Sequence, residues 1–211
     1  MKEFSNKYLN ILNTSLKGLN LTKILDPDEF YHKQILDSVL PYEQDPSFRK
    51  FLDDSKLLVD VGFGGGFPIL PLAHLLPDYQ FIGIETRNKK VEAVRYLAGE
   101  LGLKNVKLVH ARVEDIIFDR RCLITLKAVG TAEKFLPLIN TTHSLMVSFY
   151  KGPNFYEQEL KSLEYLSKDW NIIQPVEINV PGTEKRLIVS FKNKNVPRGT
   201  LNSLVKLSQF L

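Results

Sequence analysis

The stretch of the 211-residue chain richest in chemistry is LLVDVGFGGGF, residues 57–67. A short apolar run ends in Asp60 and Val61 and is followed by Gly62, Gly64, Gly65 and Gly66. The run reads as a buried strand, and the spacing matches D-x-G-x-G-x-G. Glycines at these positions let the backbone turn sharply and let a ligand lie against the main chain, where a side chain would block it. Asp60 is placed to orient the loop, or to reach a ligand amino group through water. A dinucleotide loop of the G-x-G-x-x-G kind needs glycine at 67 or 69, where Phe67 and Ile69 stand. A nucleotide-hydrolase loop needs Gly-Lys-Ser or Gly-Lys-Thr, and the sequence has neither. What remains is the pattern of an S-adenosyl-L-methionine site, with a purely structural glycine turn as the lesser alternative.

Glu85 closes the next apolar run, where a carboxylate accepts hydrogen bonds from both ribose hydroxyls of a nucleoside. Its ordinary alternative is a surface acid at a strand end. Arg112, Val113, Glu114 and Asp115 follow the third run, at the adenine side of such a site. Lys127, Ala128, Val129 and Gly130 follow the fourth, facing the transferred methyl. Several acceptors are excluded there. No Asn/Asp-Pro-Pro-Tyr/Phe loop for methylating an exocyclic amine is present. The only cysteine, Cys122, sits inside an expected strand and reads as a buried structural residue, not a nucleophile. Lys127 opposes the acidic cluster that metal-assisted transfer requires, and His32, His74, His110 and His143 lack ligand spacing, so no metal is expected. No general base stands out, which leaves an acceptor atom with a free lone pair.

These residues must be held at the ends of strands. Apolar runs and helical spacing predict strands over 57–61, 81–85, 106–110, 122–126 and 145–150, alternating with helices over 68–76, 87–101, 132–138 and 156–167. Two final extended runs, 170–180 and 186–191, have no helix between them. The expected fold is α/β: a Rossmann-like class I methyltransferase with a mostly parallel seven-stranded sheet and an antiparallel last strand. A helical N-terminal cap precedes it. One apolar stripe runs through Phe4, Tyr8, Ile11, Leu12 and Leu16, and a second helix opens at Pro27 with Asp26 as its cap and stops at Pro41. Residues 42–56 are polar and read as a connection. The expected division is a cap over 1–56, on the RNA side of the molecule, and a cofactor-binding methyltransferase domain over 57–211.

The net charge is +4. From Lys185 onward there are six basic residues and no Asp or Glu, which reads as either a solubilising tail or a phosphate-contacting surface. No apolar run approaches a membrane span and no apolar signal core opens the chain. The lone cysteine fits a reducing compartment. A cytoplasmic protein is expected.

The segments NLTKILDPDEFYHKQILDS (20–38), DVGFGGGFPILPL (60–72), HARVEDI (110–116), LKAVG (126–130), YKG (150–152) and EKRLIVSFK (184–192) resemble the glucose-inhibited division protein B family, the ribosomal RNA small subunit methyltransferase G group. The resemblance spans most of the chain, and the elements upstream of the glycine loop are its more specific part. It implies methyl transfer from S-adenosyl-L-methionine to N7 of one guanine in 16S rRNA, on free rRNA or the 30S subunit, by a monomer. Guanine N7 is an unprotonated acceptor on the major-groove edge and needs no base. Catalysis is then mainly alignment. The resemblance places cofactor contacts on Gly62, Phe67, Val113, Glu114 and Lys127, beside Asp60, Gly64, Gly66 and Glu85 from the loop pattern. Lys127 should point to the cofactor carboxylate or a phosphate.

RNA phosphates are expected at Lys151, Lys185, Arg186 and Arg198. Phe63, Phe67 and Tyr150 are stacking candidates that are equally at home in a core. Three departures stand out: Lys127 replaces the usual arginine and loses its bidentate fork, Gln34 replaces a histidine, and the N-terminus is shorter by roughly one helix. For Asn20, Asp37 and Ser38, capping and packing weigh evenly against RNA contact. Two other readings stay open: a methyltransferase acting on a small molecule or protein, and an RNA-binding protein without catalysis.

Overall fold

The computed structural model describes residues 1–155, 157, 159, 166–194 and 204–211. Its main sheet contains β1 (Leu57–Val61), β2 (Gln80–Glu85) and β3 (Val106–His110). A short strand β4 (Ile116–Phe118) precedes the central β5 (Cys122–Lys127). The two-residue β6 (Asn140–Thr141) leads to β7 (Leu145–Lys151). Then come β8 (Trp170–Ile172), β9 (Val176–Ile178), the long β10 (Arg186–Asn193) and β11 (Val205–Lys206).

The spatial order is β3-β2-β1-β5-β7-β10, with β8 and β9 both on the outer edge of β10. Pairing is parallel through β7, and β10 runs antiparallel to it, with Val189 opposite Phe149. This is the expected sheet with one correction. The run 170–180 is two strands, not one, because Pro175 lies in the gap and has no N–H to give to the ladder. The tiny sheet β11-β4-β6 was not expected; strands of two and three residues carry no readable period.

Seven α-helical segments lie among the described residues. In the cap, α1 (Lys2–Asn13) buries Phe4, Tyr8, Ile11 and Leu12, and α2 (Pro27–Phe30) has Asp26 accepting from the Glu29 N–H at 2.9 Å. A π-helical turn over Tyr31–Leu36 passes directly into α3 (Asp37–Gln44). Pro41 therefore does not end the helix: its lost hydrogen bond is outweighed by burial of Val39 and Pro41 itself.

Nor is 42–56 a connection. α4 (Pro46–Ser55) is opened by Asp45, which accepts from the Ser47 and Phe48 N–H groups at 2.9 and 3.0 Å. It buries Phe48, Phe51 and Leu52, and their three- and four-residue steps are masked by the charged residues between them. α5 (Ile69–Leu75) and α6 (Asn88–Glu100) follow β1 and β2, and α7 (Ala132–Phe135) follows β5. Most of the helix expected over 156–167 lies outside the described residues.

Each sheet face carries its own hydrophobic cluster. On one, Phe4, Tyr8, Phe30 and Ile35 of the cap pack with Leu58, Phe81, Ile69 and Val94. On the other, Val59, Ile124 and Val189 pack with Ile116, Leu136 and Leu207. The cap thus completes the sheet's core. No helix among the described residues is long and apolar enough to cross a membrane.

Candidate active site

The glycine loop starts where β1 ends. Gly62, Gly64 and Gly66 have φ of +72°, +55° and +94°, a region L side chains seldom enter. The Gly62 N–H donates to the Ile84 carbonyl at 2.7 Å, tying the loop to the end of β2. A Cβ on Gly62 would strike Val129 Cγ1, one on Gly65 would strike the Leu21 carbonyl, and one on Gly66 would lie 2.6 Å from the Tyr8 hydroxyl oxygen. At Gly64 no atom beyond its chain neighbours would come nearer than 3.8 Å to an added Cβ, so space is open there. Three of these glycines are therefore required by the packing of the protein itself, and Gly64 is not. The Tyr8 hydroxyl donates to the Gly65 carbonyl, and its ring stacks on Phe67 at 5.1 Å.

A cleft of about 700 Å³ opens over the carboxyl ends of β1, β2 and β5, where open α/β sheets place their ligands. Gly62, Gly64, Phe67, Glu85, Val113, Glu114 and Lys127 all line it, seven of the nine cofactor positions expected from sequence. Glu85 is 7% exposed. One carboxylate oxygen accepts from the Gly64 N–H at 3.2 Å and the other from the Arg87 N–H at 3.1 Å. It is held rigidly, with lone pairs to spare for a diol. Thr86, Arg87, Lys90 and Ala111 also line the cleft; only their place just after strands β2 and β3 could have marked them. Phe63 lines the cleft but is 1% exposed, a core residue.

Asp60 and Gly66 are not among the lining residues. Asp60 is buried beneath the loop, where one oxygen accepts from the Thr125 hydroxyl at 2.9 Å and the other lacks a well-formed hydrogen bond. Burial pushes its pKa up to about 8, against smaller opposing effects of the Thr125 hydroxyl, the Ile69 amide and Lys127. Of its two expected roles, this placement favours orienting the loop.

A second cavity of about 610 Å³ shares Gln34, Lys127 and Ala128 with the first. Ala128 stands between them with φ +58°, a strained conformation for alanine. Tyr150 lines the second cavity, its hydroxyl donating to the Ser38 carbonyl at 3.0 Å.

The expected cations in and near this cavity each have an acidic partner within the chain. Lys127 Nζ lies 2.6 Å from Asp37 Oδ2, so its charge is met by a cap carboxylate. Arg186 Nε lies 3.4 Å from Asp37 Oδ1. Lys151, expected on a phosphate-binding surface, sits in a buried pair with Glu159 at 2.5 Å and donates to the Gly130 carbonyl. Lys185 pairs with Glu177 at 2.6 Å on the surface. The partner Asp37 of Lys127 and Arg186 lies far from both in sequence, so neither pair is legible from spacing. Arg198 lies outside the described residues. No group of three or more His, Cys, Asp or Glu able to hold a metal occurs among the described residues.

The strand order, the antiparallel β10, the glycine loop after β1 and the acid ending β2 together define a class I, S-adenosylmethionine-dependent methyltransferase. The fold is similar to a SAM-dependent methyltransferase from Aquifex aeolicus, with TM-score 0.50 and 20% identity over 74% of this chain and 98% of that one. It is also similar to NSun6 from Pyrococcus horikoshii, with TM-score 0.51 and 16% identity over 72% of this chain and 52% of that one. The family model for rRNA small subunit methyltransferase G matches residues 1–189, and the chain belongs to that family. A relative from Petrotoga mobilis named ribosomal RNA small subunit methyltransferase G is 32% identical, over 92% of this chain and 89% of its own. A namesake from Lactobacillus johnsonii is 31% identical over 93% and 85%.

Proposed function

We propose that the chain transfers the methyl group of S-adenosyl-L-methionine to N7 of a specific guanine in 16S rRNA. The observation that carries this reading is the meeting of two cavities at Lys127 and Ala128, one lined by the glycine loop and Glu85 and the other by Asp37 and Tyr150; we read the first as the donor site and the second as the acceptor site. In the first, Gly64 leaves room for the donor against the backbone, Glu85 accepts from its ribose, and Val113 and Glu114 flank its adenine. Bound there, the cofactor supplies a methyl group on a sulfonium, open to attack by a neutral lone pair. Guanine N7 offers such a lone pair at neutral pH, so the protein has no proton to remove. Its task is alignment and exclusion of water, and the carboxylates that line the second cavity, Asp37 and Glu159, are each tied to a cation. Asp37 holds Lys127, which keeps an uncompensated cation away from a base that becomes positive.

In this reading residues 1–56 form the cap that closes the acceptor side and residues 57–211 the catalytic domain, working as a cytoplasmic monomer on rRNA or the 30S subunit. The test is transfer of labelled methyl to purified 30S subunits, to naked 16S rRNA and to metabolite and protein fractions, with the product mapped by cleavage at 7-methylguanine. Label in RNA at one N7 is expected; RNA left unlabelled rejects the reading. The pairing of Lys151, Lys185 and Arg186 with acids favours, as a second reading, a small-molecule or protein acceptor, and label in those fractions alone would establish it.

A further inference from the structure

We propose that Asp37 reads the acceptor base, accepting hydrogen bonds from the N1–H and the 2-amino group of guanine in the second cavity. The assignment rests on the guanine reading above. Two buried carboxylates line this cavity, Asp37 and Glu159, each 5% exposed. Glu159 is held by Lys151 at 2.5 Å and by the Ala132 N–H at 3.1 Å, neither of which lines the cofactor cleft, whereas Lys127, which holds Asp37, lines both cavities. Asp37 holds one cation on each oxygen, Lys127 at 2.6 Å and Arg186 at 3.4 Å. An ionised carboxylate has about four lone-pair sites, so a second acceptor position remains on each oxygen. Lys127 and Arg186 also fix the Asp37 carboxylate in place from two sides.

Guanine presents two adjacent donors, N1–H and the 2-amino group, on the side of the purine away from N7. Adenine presents an acceptor at N1 in their place. A carboxylate fixed in the wall of the second cavity by Lys127 and Arg186 therefore distinguishes the two bases by these donors, on an edge of the purine that leaves N7 free. Recognition also bears on rate. As the N7 lone pair takes the methyl, the C–S electron pair stays with sulfur, no proton leaves, and the purine becomes cationic. Its N1–H and amino protons then donate more strongly, so the bonds to Asp37 tighten in the transition state beyond their ground-state strength, which is what accelerates a reaction.

The test compares RNA carrying guanine at the target with RNA carrying inosine there, which lacks only the 2-amino group. Wild type should methylate inosine about 10-fold or more slowly in kcat/KM, the loss of a hydrogen bond to a charged group. Asp37→Asn should lower kcat on guanine about 10- to 100-fold, lose most of the discrimination against inosine, and keep its affinity for S-adenosyl-L-methionine by calorimetry. A merely structural role would slow both substrates alike and leave their ratio unchanged. Equal wild-type rates on the two RNAs overturn the assignment without any variant. Should Asp37→Asn fail to fold, Asp37→Glu supplies the second measurement: the longer carboxylate should slow guanine more than inosine, and an unchanged ratio overturns the assignment. If wild type methylates neither RNA, the guanine reading itself has failed.

Discussion

Gly64 and its neighbours show how little of a glycine motif is about the ligand. Gly64→Val should abolish cofactor binding, since it fills ligand space and forces a β-branched residue to φ +55°. Gly65→Ala should chiefly lower stability, because the new Cβ meets the Leu21 carbonyl. Calorimetry and thermal melts on both variants check the distinction, and binding by Gly64→Val with native affinity would place the donor elsewhere. Asp60 makes a second prediction. Its folded pKa of about 8 lies above the ordinary 3.8, so between those values the folded state holds a proton that the unfolded chain has released. Stability from this group therefore falls as pH rises through that window and is lowest above about 8. Asp60→Asn should flatten the decline in melting temperature between the ordinary 3.8 and about 8; parallel profiles for the two proteins would show that Asp60 is ionised throughout. The identity of these residues was legible in the sequence, but their division of labour was not. Whether a glycine faces a ligand or the Tyr8 hydroxyl depends on contacts dozens of positions apart.

The elements that period alone defines were readable: β3 falls where its alternating residues place it, and α6 differs from expectation by one residue at each end. Elements set by tertiary packing were not. α4 hides its buried Phe48, Phe51 and Leu52 among charges, and α3 runs through Pro41 because the core holds it. The pairs of Asp37 with Lys127 and Arg186 are of the same kind, joining cap to sheet across the fold. α1 reaches the site through a single hydroxyl. Tyr8→Phe removes its bond to the Gly65 carbonyl while keeping the ring stacked on Phe67. The expected loss is about 1 kcal/mol of stability, together with weaker cofactor binding. Cofactor titration alongside denaturant melts measures both, and an unchanged dissociation constant would separate α1 from the site.

At the scale of the molecule, residues 1–56 and the sheet share one hydrophobic cluster, so the proposed boundary at residue 56 is not a boundary of stability. A fragment of residues 57–211 should expose the apolar face formed by Leu58, Phe81, Ile69 and Val94 and be aggregation-prone. A monomeric fragment melting cooperatively near the full chain would refute this. The glycine loop is braced from three remote directions: Tyr8 beneath it, Leu21 at its flank and Val129 across its mouth. During synthesis the loop is translated with less than a third of the chain made, yet the residue that closes over Gly62 emerges more than sixty positions later. Donor binding therefore reports completion: a chain interrupted before Val129, or one whose cap has not docked, has every motif residue of the loop and no finished place to hold a cofactor.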